Sequence, residues 1–355
     1  MPESVKTPVP SPADPILVEA IRAGLVESRH RGALCIADSR GEIVAALGDV
    51  EAAVFPRSSY KMLQALPLIE TGAADAFGVT DRELALACAS HNGEPGHVEA
   101  VRAWLARIGC SEDDLACGAH RPYHEEAADD LIRQGRAPGR AHNNCSGKHA
   151  GFLTVCRHLG LALEGYARPD HPVQRMARDA IAGMTGIAAD AMVTGIDGCS
   201  APALAFPLSG LARAFARIAA PETLADGTRA AAVRRLYRAV TAEPWFVAGT
   251  GRACTVLMQA AEGRAALKTG AEGVFTAAIP ARGGRPALGL ALKIADGATR
   301  ASECAVAELL VRLGVVAADA EGVAGFRAPV VRSRAGEKAG AIRAAEVLSE
   351  LALPV

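Results

Sequence analysis

A chain of 355 residues, half of them hydrophobic and 22% charged, is long enough for one large domain or two modest ones. Its formal net charge is −1 with no long run of one sign, which argues against nucleic acid or an anionic membrane as a partner. No apolar stretch reaches the length of a membrane span.

Residues 1–14 read as a Pro-rich polar tail lacking the apolar core of a secretory signal. The odd count of nine scattered cysteines points to reduced thiols and a cytoplasmic setting. Residues 15–355 are expected to form a single catalytic domain with a central helical insert over about 95–245.

From Ile16 to Asp49 short apolar runs alternate with turn signals. Ala33–Ala37 and Ile43–Leu47 flank Ser39-Arg40-Gly41 as a hairpin, and the whole opening reads as strand-rich, with helix as the alternative for Ile16–Val26. The stretch Phe55-Pro56-Arg57-Ser58-Ser59-Tyr60-Lys61 turns from extended chain into helix. Thr80-x-x-Glu83 is a capping box opening a helix that ends near Cys88 and delivers Ser90-His91-Asn92-Gly93-Glu94 as a loop. Further helices are predicted over Pro95–Gly109, His124–Gln134, the run up to Leu159, Pro172–Met184 and Pro207–Ala219. Thr194–Ser200 reads as a turn-rich loop. Gly273–Ile279 and Pro286–Ile294 form a second hairpin. A helix over Thr299–Leu313 follows, and a last helix over Gly340–Leu351. With strands at both ends and helices between them, the fold class is α/β: a mainly antiparallel sheet flanked by helices.

Three short clusters carry chemistry. Ser58 and Lys61 lie at i and i+3 on one helical face, where a desolvated amine takes the proton that makes a serine hydroxyl a poor nucleophile. Ser90-His91-Asn92 and Lys268-Thr269-Gly270 follow in the order Ser-x-x-Lys, Ser-x-Asn, Lys-Thr-Gly, which is the order of penicillin-recognising serine hydrolases. Each cluster alone also fits a plain loop or a solvated strand end. Arg57, His91, Asn92 and Glu94 are candidates for substrate binding; Arg57 matches a carboxylate bidentately, and Arg252 is an alternative from the helical block. His120 is a further polar candidate, and Lys293, on the neighbouring strand, competes with Lys268 as the second lysine. Cys145, Lys148 and His149 face one point at a helix start, and Cys199 sits beside Asp197 in a polar loop. By chemistry alone Cys145, His149 and Cys199 would form a zinc triad. Cys35, Cys88, Cys156 and Cys254, in apolar runs, read as core fillers.

These segments, above all Asn143-Asn144-Cys145-Ser146-Gly147-Lys148-His149, resemble the L-asparaginase II family of the rhizobial type, over about Leu17–Arg343. The resemblance implies a fold like that of serine β-lactamases and penicillin-binding proteins, and hydrolysis of L-asparagine to L-aspartate and ammonia. It implies two Ser–Lys pairs, Ser58 with Lys61 and Ser90 with Lys268. It also implies a zinc held by Cys145, Lys148 and Cys199, with Lys148 replacing His149, and with Asp197 and His149 orienting the ligands. A homodimer is implied as well. A β-lactamase or peptidase, a non-catalytic zinc-binding protein and a glutaminase are the rival expectations, the last differing by one methylene.

Overall fold

A computed structural model describes residues 14–354; the first 13 residues of the expected tail lie outside them. The strands are β1 (Ile16–Arg22), β2 (Leu25–Asp38), β3 (Ile43–Leu47), β4 (Ala53–Val54), β5 (Val193–Ile196), β6 (Pro202–Pro207), β7 (Ala266–Thr269), β8 (Val274–Ile279), β9 (Leu288–Ile294), β10 (Val330–Arg332) and β11 (Lys338–Ala344). Eight form one sheet in the order β10-β11-β1-β2-β9-β8-β7, with β3 also paired to β2. All its pairings are antiparallel. The N-terminal hairpin pairs Leu34 with Leu47, and the second hairpin pairs Val274 with Lys293.

Every residue of β8 and all but one of β9 are buried, so both faces of this sheet are covered. The helix Leu208–Ala219 packs on β2, β8 and β9, and the helix Thr299–Arg312 packs on β1, β8, β9 and β11. Between β4 and β7 the chain is mostly helical, from Lys61–Gln64 to Ala253–Ala261. The Thr80 hydroxyl accepts from Glu83 N, and the Glu83 carboxylate accepts from Thr80 N, as the capping box requires.

The strand-rich opening is found as expected: Ile16–Val26 is strand, a turn and the start of the next strand, paired through Val18–His30. Two expectations change. The predicted helix over Gly340–Leu351 is instead β11 followed by a single helical turn, Glu346–Ser349. The helical propensity of Lys338–Ala344 is overridden because the β1 edge offers its backbone partners from Val18 to Arg22. The predicted loop Thr194–Ser200 begins inside β5, which pairs with β6; β4 adds to β6 to make a separate three-stranded sheet.

Candidate active site

The small sheet places two key segments side by side. β4 runs into a 3₁₀ turn, Arg57–Tyr60, and then the helix Lys61–Gln64. The β5–β6 turn carries Asp197 and Cys199, closed by Asp197 N donating to Ala201 O at 2.9 Å. Tyr60 ties the two together, its buried hydroxyl accepting from Leu204 N at 3.2 Å. Arg57 takes a left-handed φ of +53°, a strained conformation for a non-glycine residue. Its guanidinium is held by Asp197 Oδ1 at 2.7 and 2.8 Å.

Ser90 arrives on the loop after the helix Asp81–Ala87, its N–H bonded to Val247 O at 2.9 Å. The helix that delivers this loop packs against the start of the Ser146–Leu159 helix because Gly147 has no side chain: a Cβ there would lie 2.3 Å from Leu86 O. Lys268 projects from β7, and Gly270 just beyond lets the 3₁₀ turn approach, since a Cβ there would stand 2.4 Å from Pro56 O.

The side chains converge on Ser90. Its Oγ lies 3.2 Å from Lys61 Nζ and 2.9 Å from Lys268 Nζ, and both lysines are buried. Lys61 also donates to Ala89 O and lies 3.0 Å from Cys145 Sγ. Lys268 donates to Thr269 O at 2.9 Å. Burial above all, with the charges of Lys61 and Arg252 adding to it, pushes the Lys268 ammonium down to about 7. Ser58 is half-buried on the wall of a cleft of about 790 Å³, and among the described residues its hydroxyl has no hydrogen-bond partner, Lys61 included. Lys293 is directed elsewhere, donating to Ile294 O at 2.5 Å.

Ser90, Asn92, Tyr123, Asn144, Thr250, Arg252, Thr269 and Glu272 line the same cleft. Asn92 Nδ2 donates to Glu94 Oε1 at 3.2 Å and to Thr250 O at 3.1 Å, and Asn92 Oδ1 accepts from Arg252 Nη1 at 2.9 Å. Glu94 accepts from Thr250 N and Oγ1 at 2.8 and 2.7 Å. Burial opposes its charge, but these bonds outweigh it and hold the carboxyl below its usual range. His91 lies beneath the loop, accepting from Gly93 N at Nδ1 and donating from Nε2 to Ser146 Oγ at 2.9 Å, the tautomer this pattern requires. Burial keeps it neutral. His120 stacks at a tilt on Tyr123, with 4.7 Å between ring centroids.

Cys145 and Cys199 lie in a buried corner behind Lys61. Lys61 Nζ stands 3.0 Å from Cys145 Sγ, and Lys148 Nζ 3.1 Å from Cys199 Sγ. Interaction with Cys145, together with the Lys148 charge, outweighs burial and favours Cys199 as the thiolate of the pair. Burial opposes the Lys148 charge, but Cys199, Cys145 and Asp197 hold it protonated. His149 donates or accepts at Nδ1 with Tyr166 Oη at 2.7 Å; its Nε2 faces Cys199 without a hydrogen bond of ordinary geometry. Among the described residues no three His, Cys, Asp or Glu side chains are grouped to hold a metal, so any such site needs the Lys148 nitrogen.

The family model described as L-asparaginase II matches residues 18–344. The chain belongs to the L-asparaginase II family. Membership makes it an asparaginase-type amidohydrolase acting on a small molecule. Among the described residues no helix is long and apolar enough to cross a membrane. No curated protein matches the chain. Among solved structures, a crystal structure of Mglu in its native form is similar at 12% identity, over 90% of this chain and 73% of that one, with a TM-score of 0.44.

For this asparaginase-family hydrolase the motif-bearing serines and lysines were visible in sequence, but most of the cleft wall was not. Asn144 belongs to the Asn-Asn-Cys-Ser-Gly-Lys-His segment already singled out, but Tyr123, Thr250 and Glu272 lie in separate loops without a shared motif. The one local signal was the glycine pair around Thr250: Gly249, with φ +108°, sits where a Cβ would meet Glu94 and Asn92.

Proposed function

We propose that this chain hydrolyses L-asparagine to L-aspartate and ammonia with Ser–Lys chemistry. The observation that carries the reading is Ser90 Oγ held between two buried lysine amines at the floor of a cleft that Ser58 lines. Ser58 attacks the side-chain amide, because it is the more exposed serine and its hydroxyl is otherwise uncommitted. Lys61, one turn on, and Ser90 carry its proton inward to Lys268, which accepts it near neutral pH. The same relay returns the proton to the departing ammonia. Water then releases aspartate from the acyl-enzyme by the same route. Backbone N–H groups of the Ser58 turn are the oxyanion donors in this scheme. A second assignment, Ser90 as nucleophile with Lys268 as its base, has its own support in their 2.9 Å contact.

The residues of the cysteine corner fit a zinc ion. Cysteine thiolates are ligands zinc favours, and the Lys148 amine beside Cys199 can join them once it has given up its proton. Cys145, Lys148 and Cys199 would hold it, with Asp197 and His149 orienting them; when bound it would supply a rigid positive wall to the pocket. Cys145, which also touches Lys61, connects that wall to the proton relay. Nine free thiols fit a cytoplasmic enzyme. A serine β-lactamase-like architecture and a homodimer complete the proposal. Ammonia release from L-asparagine by the purified protein tests it: turnover supports the reading, and a folded protein inert to asparagine but active on nitrocefin would replace it with a β-lactam hydrolase.

A further inference from the structure

We infer that Arg252 is the seat for the α-carboxylate of an α-amino-acid ligand, an inference that rests on reading the Ser58–Ser90 cleft as the substrate site. Asparagine differs from a simple amide by its α-carboxylate and α-ammonium, so a selective site must hold at least one of them. The sequence offered Arg57 for the carboxylate, but that guanidinium is committed to Asp197 at 2.7 Å. Arg252 is the one permanent cation among the described residues lining the cleft, and no carboxylate lies within ion-pair distance of it there.

Its placement is built rather than incidental. It caps the helix Ala253–Ala261, donates from Nη1 to Asn92 Oδ1 at 2.9 Å, and stands 5.8 Å from the centroid of the Tyr123 ring. Asn92 is itself fixed by Glu94 and Thr250, so the guanidinium is oriented before anything binds. One donor is used on Asn92, leaving the others for a carboxylate, which guanidinium matches in a two-pronged geometry. Arg252 lines the same cleft as Ser58 and Ser90, the two serines of the proposed Ser–Lys chemistry. The competing role is a counter-charge for the half-buried Glu303, on which Arg252 also acts.

Calorimetric titration with L-aspartate and with β-alanine, which lacks the α-carboxylate, tests this without requiring turnover. The wild-type protein should prefer L-aspartate by about 30-fold or more, the scale of a charged hydrogen bond. In Arg252→Met that preference should fall to about threefold or less, through loss of aspartate affinity, with Arg252→Lys intermediate. Glu303→Gln should leave the preference intact. Should Arg252→Met fail to fold, Arg252→Lys carries the test. A wild-type protein without the preference, a preference retained in the arginine variants, or one lost in Glu303→Gln overturns the inference. An Arg252-dependent preference in a protein that leaves asparagine unhydrolysed would sink the hydrolase reading and keep the carboxylate seat. Asparagine turnover with the preference unmoved in Arg252→Met would do the reverse.

Discussion

Lys268 Nζ lies 2.9 Å from Ser90 Oγ, although 178 residues separate them in the chain. With Lys61 Nζ on the same oxygen at 3.2 Å, two buried amines share one hydroxyl, and both cannot be charged cheaply. Lys268 is the one that yields, its ammonium pushed down to about 7.

A base that is neutral only above about pH 7 gives the rate a rising limb there. kcat/KM for amide hydrolysis should increase roughly tenfold per pH unit below that point and level off above it. Lys268→Arg, which stays protonated, should lose most activity and show no such limb. A flat wild-type profile from pH 5.5 to 8.5 would remove Lys268 from the proton relay.

The same shift has a stability consequence. Between about pH 7 and the ordinary lysine value of 10.5, the unfolded chain holds a proton on Lys268 that the folded chain has released. Stability therefore rises with pH through that window, and the cost of a buried cation is fully present below it. Lys268→Met should flatten this part of the curve, as measured by urea unfolding at pH 6.5 and 9.5. An unchanged slope would count against the buried, discharged amine.

How much of this was legible beforehand follows from which signals are local. Both hairpins were visible because turn residues at 39–41 and 281–285 punctuate apolar runs. Ser58, Lys61, Ser90 and Lys268 were visible as short motifs, but only the fold brings Ser90 between the two lysines. β11 was not legible, because Lys338–Ala344 carries alanines and a glycine, and only the free edge of β1 makes it a strand. The Thr194–Ile196 strand was hidden for the same reason, since it needs β6 as its partner. The pairing of Arg57 with Asp197 joins residues 140 apart and has no sequence signature, so Arg57 looked available for substrate.

Gly270 tests whether the Ser58 turn must sit against β7. Gly270→Ala would place a Cβ 2.4 Å from Pro56 O and 3.2 Å from Ser59 Cβ, so the turn must shift. A stability loss of about 1–3 kcal/mol is expected. The loss in kcat should be larger, about 100-fold, because a displacement near 1 Å misaligns the nucleophile. Activity within about twofold of wild type would show that this contact does not position Ser58.

Elemental analysis of protein purified without chelator should find about one zinc per chain, and Cys145→Ser or Cys199→Ser should abolish it. Chelation should lower the melting temperature and raise KM more than it lowers kcat, as expected of a metal that orders the pocket. A metal-free protein of full stability, or zinc retained in both serine variants, would contradict the site.

The central claim is that hydroxyl and amine groups of Ser58, Lys61, Ser90 and Lys268 together break the amide. Ammonia release from L-asparagine, followed in parallel for the wild type and for Ser58→Ala and Ser90→Ala, tests it most directly. The account predicts losses of about 10³-fold or more in both variants with melting temperatures little changed. Near wild-type turnover in either serine variant would contradict it.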